Sequence, residues 1–394
     1  MGNTVYAGPS ASQSVTYEAV GVADDYSQII INIEPEVNYF LANMREQENV
    51  NNITYGWFTE GLNPPKENAQ LEDADFTTQR VGSVTSLNNH CQHFINTGRV
   101  SDAQIKVRKM YSEQNELNRQ IKKAFIEQAQ DMEYAIVNNS MSRLGTDLLG
   151  AKTGGIPYFM KEESVSITFG ADNKITAVAA HELKTGDFIY LKGPSLPKEL
   201  SKNLIYYIRK DGDSETVFTL HDTQKSAVEG GSAIAYTAGT HTGACLIKNN
   251  IVDLEDSAAF SVADINTCME MAFRRGGKPT DIIMSTRNKR RFSEIAGTVS
   301  APQRKQAEKK VIQVIDSIES DYGTLQAIPH RLYPDNRIDI FDNEYHGLAW
   351  FDRPHEVKGL AKQGSRQEFV LESWLGYKCL QPKASASIIN SKRV

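Results

Sequence analysis

Between Ser112 and about Asn139, apolar residues recur in steps of three and four: Leu117, Ile121, Ala124, Phe125, Ala129, Met132, Ala135 and Ile136. That spacing lines them along one side of an α-helix, while Glu116, Arg119, Lys122, Lys123, Glu127 and Asp131 fall off the stripe. The pattern predicts one amphipathic helix over 112–139, ended near Gly145. At about 1.5 Å per residue it runs roughly 40 Å, longer than most globular helices. We read the stripe as a core face, with Leu117, Ile121, Phe125, Met132 and Ile136 as its principal contacts.

On either side of this helix the pattern changes. Residues 164–249 carry short β-type runs, Ser166–Phe169, Phe188–Leu191, Leu204–Ile208, Val217–Leu220 and Ala233–Tyr236, separated by Gly, Asp, Asn and Lys turns. An all-β block between helical segments reads as an inserted module. Helix signals return at Ser261, whose capping-box partner is Asp264, with Val262, Ile265, Met269 and Phe273 on one face and Gly276 and Pro279 as stops. A strand at Asp281–Met284 then feeds a basic helix from Thr286 to about Ile295. Strands follow at 311–318, 325–328, 338–341, 348–351, 368–371 and 388–389, so the body is α+β with helices and strands segregated.

Before the long helix, the first sixteen residues are small and polar and read as an extended arm with no core of its own. Val37, Phe40, Leu41 and Met44 predict a short helix. Residues 50–100 hold a turn-rich excursion: Thr54–Phe58 on one side, Asn63-Pro64-Pro65-Lys66 in the middle, and Val81–Ile95 returning. Proline and acidic residues dominate its turn, leaving little to bury in a monomer. A segment of this length without a core usually folds against a partner or serves a function.

Composition limits the function classes. A chain of 394 residues, 40% hydrophobic and 23% charged, can bury a core and is long enough for two or three domains. No run approaches the roughly 18 apolar residues of a spanning helix, and Met1-Gly2-Asn3-Thr4 lacks signal-peptide features, so the expected site of folding is a cytoplasm and no membrane partner is expected. Cys91, Cys245, Cys268 and Cys379 are far apart and show no metal-ligand spacing. The formal net charge of -6 argues against sequence-independent DNA binding by the whole surface. Yet the charge is uneven, with acids concentrated over 18–75 and bases over 287–310, which suits self-association; Arg287, Arg290 and Arg291 are the candidate charge contacts.

Few residues point to chemistry. His90-Cys91-Gln92-His93 is the best candidate for a metal or thiol site, but on a strand His90 and Gln92 face one way while Cys91 and His93 face the other. Glu72, Asp73 and Asp75 lack the spacing of a calcium loop, and the basic run around Arg290 lacks interleaved aromatics. GxSxG, HExxH, Walker and dinucleotide-binding motifs are absent from the sequence. No catalytic residue, metal site or cofactor is expected, and the chain is not expected to be an enzyme.

The order of parts, with short motifs distributed along the chain, resembles a family. The motifs are Tyr55-Gly56-Trp57 followed by Leu62, Pro64-Pro65, Glu67-Asn68-Ala69 and Glu72; Asn88-Asn89 with Gln92; Val100-Ser101; and Asp131-Met132-Glu133. Near the end come Tyr322-Gly323, Leu360-Ala361-Lys362-Gln363-Gly364 and Glu372-Ser373-Trp374-Leu375. Each is short and degenerate, and it is their order across nearly the whole chain that resembles the tailed-bacteriophage major capsid proteins of the Hong Kong 97 type. Asp73 stands where that family often has glycine, and a β-insertion is not universal in it.

The resemblance implies an N-terminal arm and short helix (1–49), an extended loop (50–100), a peripheral domain with a long spine helix (101–159), an inserted β-module (160–250), an axial domain (251–350) and C-terminal strands returning to the peripheral domain (351–394). It implies a structural head protein of the virion, built into hexamers and pentamers of an icosahedral shell and assembled in the host bacterial cytoplasm. The shell would enclose double-stranded DNA without reading its sequence. A separate scaffolding protein, a portal and a decoration protein are the implied partners. Within the extended loop, Trp57, Leu62, Pro64, Pro65 and Glu72 are the expected inter-subunit contacts. The alternative is a phage tail or adhesin protein whose β-module binds a surface glycan; it would carry a fibrous repeat, and no internal repeat is visible.

Overall fold

The computed structural model describes residues 38–46, 49–62, 65, 67, 69, 72, 84–107, 116–181, 183–202, 204–212, 214–237, 241, 243–299, 317–361 and 364–392. The expected arm therefore lies almost wholly outside the described residues.

The long helix spans Glu116–Asn138 and lies on a four-stranded sheet ordered Arg45–Glu46, His346–Glu356, Arg366–Cys379 and Gln92–Ser101. Strand Arg366–Cys379 alternates as a half-buried strand should, turning Phe369, Leu371, Leu375, Tyr377 and Cys379 inward. The stripe is not uniformly buried. Met132 and Ile136 are enclosed, whereas Leu117, Ile121 and Phe125 are half-buried over Phe369 and Leu371. Fewer layers cover the helix at that end.

A second sheet has the order Ile251–Asp253, Ala386–Ile389, Ile338–Phe341, Asp281–Ser285, Gly323–His330 and Ser317–Ser320. Helix Val262–Arg274 packs on it, opened by the predicted capping box in which Ser261 and Asp264 bond each other's backbone N–H. The basic helix Thr286–Val299 follows the wholly buried strand Asp281–Ser285.

The last strand corrects one expectation. Residues 351–394 do not all return to the first sheet: Ala386–Ile389 pairs parallel to Ile251–Asp253 and antiparallel to Ile338–Phe341. Ala386, Ser387 and Ile388 are buried in succession, so this strand needs cover on both faces, which an interior position in the second sheet supplies. Strand His346–Glu356 of the first sheet likewise starts inside the stretch expected to be axial.

Residues 164–247 close into a six-stranded antiparallel barrel. Its order is Cys245–Ile247, Ser164–Phe169, Lys174–Ala177, Val217–His221, Ile205–Lys210 and Phe188–Lys192, and the last strand pairs back to the first. Ile175, Ile189, Leu191, Ile208, Phe218 and Leu246 fill it. The segment is not all-β. Thr223 caps a helix, Gln224–Glu229, that ends at Gly230 in the left-handed region (φ 81°), and the expected strand 233–236 is coil. Barrel residues Phe188, Tyr190 and Tyr207 face outward into the same core as Phe260, Ile265 and Met269 of the second sheet's layer. Arg275 stacks 4.4 Å over the Phe188 ring, and Lys192 bridges Glu162 and Asp253.

Candidate functional site

Strands Thr54–Thr59 and Thr85–His90 form an isolated antiparallel pair in which Trp57 faces Leu87. Alternation sends Tyr55 and Trp57 inward and Gly56 and Phe58 outward. Trp57 is only 7% exposed; it packs 5.6 Å from Phe159 and lies near Tyr55 and Lys378. Its expected place at a subunit contact is thus corrected: its face is occupied within its own chain. Phe58, which is not among the expected contacts, is 77% exposed. Four residues on, Leu62 is 98% exposed, and Pro65 and Glu72 are exposed too, while Pro64 lies outside the described residues.

The base of this pair is held by buried amides. Asn89 donates to Thr153 Oγ1, Gly154 O and Tyr377 O, and its carbonyl accepts from Gly154 N and Ser142 Oγ at 2.8 Å each. Tyr55 donates to Tyr377 O at 2.7 Å. One asparagine thereby joins the strand pair, the segment after the long helix and the first sheet. Every polar atom of its side chain is satisfied, as burial requires.

A second joint centres on Glu133, fully buried on the long helix. Its carboxylate accepts from Phe40 N (2.8 Å) and Leu41 N (3.1 Å), capping helix Tyr39–Asn43, whose Asn38 side chain makes no cap. It also meets His330 Nε2 at 3.0 Å. His330 Nδ1 accepts from Leu332 N, which leaves the proton on Nε2 to be donated to Glu133. The entry helix, the long helix and the second sheet meet at this one carboxylate. A charged residue lying four after Ala129 and three before Ile136, on the apolar stripe itself, is the sequence signal for it.

The basic candidates divide. Arg290 is exposed and pairs with Glu294 at 3.2 Å, and Arg287 is exposed. Arg291 is half-buried: its Nε donates to Phe260 O and its guanidinium lies over the Phe260 ring, so it braces the fold. The His90–His93 run does not converge. His90 bonds Thr54 Oγ1, and burial pushes the Cys91 thiol up to about 12. His93 stacks on Trp374 at 4.2 Å and meets Glu372 at 2.8 Å. Among the described residues no group of His, Cys, Asp and Glu could hold a metal ion.

A long helix across one sheet, a separate antiparallel strand pair, and a second sheet with its own helices make up a capsid fold of the Hong Kong 97 type. The fold is similar to the capsid chain of a native GTA particle, at 10% identity and TM-score 0.53, over 95% of this chain and 97% of that one. It is also similar to the capsid of Cyanophage A-1(L), at 11% identity and TM-score 0.51, over 95% and 98%. The profile of the SU10 major capsid protein family matches residues 9–392, and the chain belongs to that family. No curated protein matches the sequence. It is a phage head shell protein that assembles with copies of itself in the capsid of the virion, which sets aside the tail or adhesin alternative.

Proposed function

We propose that the chain builds hexamers and pentamers of an icosahedral shell around double-stranded DNA, without catalytic work of its own. In this reading the segment 50–100 is the extended loop that reaches an adjacent subunit, the long helix is the spine, and the second sheet is the axial domain. The barrel is an insertion on the outer face, because the inner face must stay clear for packed DNA. Assembly takes place in the host cytoplasm on a separate scaffolding protein, with a portal at one vertex and a decoration protein as a further partner. The observation that carries the reading is the pair Phe58 and Leu62, 77% and 98% exposed on a segment whose strand pair joins no other strand among the described residues.

The test is electron microscopy and sedimentation of the expressed chain, alone and with its phage's scaffolding protein. Closed shells of uniform diameter, whose yield rises with the scaffold, are expected. Discrete small oligomers under both conditions would overturn the proposal.

A further inference from the structure

We draw no further inference here: the strongest candidate, the cleft between the barrel and helix Val262–Arg274 lined by Tyr207, Asp222, Glu270 and Arg274, already has Arg274 bound to Glu270 and Tyr207, and nothing in the structure shows what would occupy it.

Discussion

Glu133 shows how much one side chain can hold. Replacing it with alanine leaves two helix N–H groups and the buried Nε2–H of His330 without an acceptor. Breaking a buried charged partnership from one side costs roughly 3–5 kcal/mol, because the remaining polar groups stay desolvated. Chemical denaturation of the unassembled subunit should show a loss in that range for Glu133→Ala and a smaller one for Glu133→Gln, which keeps a carbonyl. A loss below about 1 kcal/mol for alanine, the value of an exposed pair, would remove the joint from the account. His346 gives a pH dependence. Its ring lies between Tyr377 Oη (2.5 Å) and Ser385 Oγ (2.8 Å), and burial pushes its pKa down to about 3, below the 6.5 of the free group. Between those values the unfolded chain binds the proton and the folded chain does not. The contribution is therefore complete above pH 6.5 and is lost as pH falls toward 3, by at most roughly 5 kcal/mol. The stability of His346→Gln should fall less steeply with acid than that of the parent; parallel profiles would show that His346 titrates normally.

Among the elements, the long helix was legible because its period is local: eight apolar residues at helical steps fix one face without reference to the rest of the chain. The capping box at Ser261 was readable for the same reason. Partners far apart in sequence were not. Nothing local says that Ala386–Ile389 leaves the sheet of its predecessor Arg366–Cys379, or that Glu133 meets a histidine 197 positions away. The helix Gln224–Glu229 was signalled by Thr223 before it and Gly230 after it, but the surrounding strands masked that signal. The barrel shows the cost of reading an element alone. Its interior is a core of its own, which suggests an independent unit, yet Phe188, Tyr190 and Tyr207 also complete the core over Phe260 and Ile265. Replacing residues 164–248 with a Gly/Ser linker would uncover that apolar layer, where large-to-small changes at single sites already cost about 2–5 kcal/mol. The deleted chain is expected to be insoluble or to bind a hydrophobic dye. A soluble, assembling deletion with parental heat stability would make the barrel a mere attachment.

At the scale of the whole molecule, folding and assembly have to be carried by different residues, since a subunit must be stable before it meets its neighbours. The neighbours Trp57 and Phe58 separate the two requirements by strand parity alone. Consecutive aromatics hide that parity in the sequence, because Tyr55-Gly56-Trp57-Phe58 offers apolar residues to both faces. In the fold Trp57 belongs to the subunit: it closes the core between Tyr55 and Phe159, and Trp57→Ala should destabilise the unassembled chain by about 3–5 kcal/mol. Phe58 belongs to the surface, 77% exposed in a subunit that gains nothing from it while alone. Phe58→Ser should leave the denaturation midpoint within about 0.5 kcal/mol of the parent, the usual range for a surface change. It should lower shell yield or raise the subunit concentration needed for assembly. The two measurements together form the test. If Phe58→Ser assembles like the parent, the strand pair's outward face is not a contact. If Trp57→Ala keeps its stability but blocks assembly, the inward and outward roles are exchanged, and the excursion's register within the subunit must differ from Trp57 opposite Leu87.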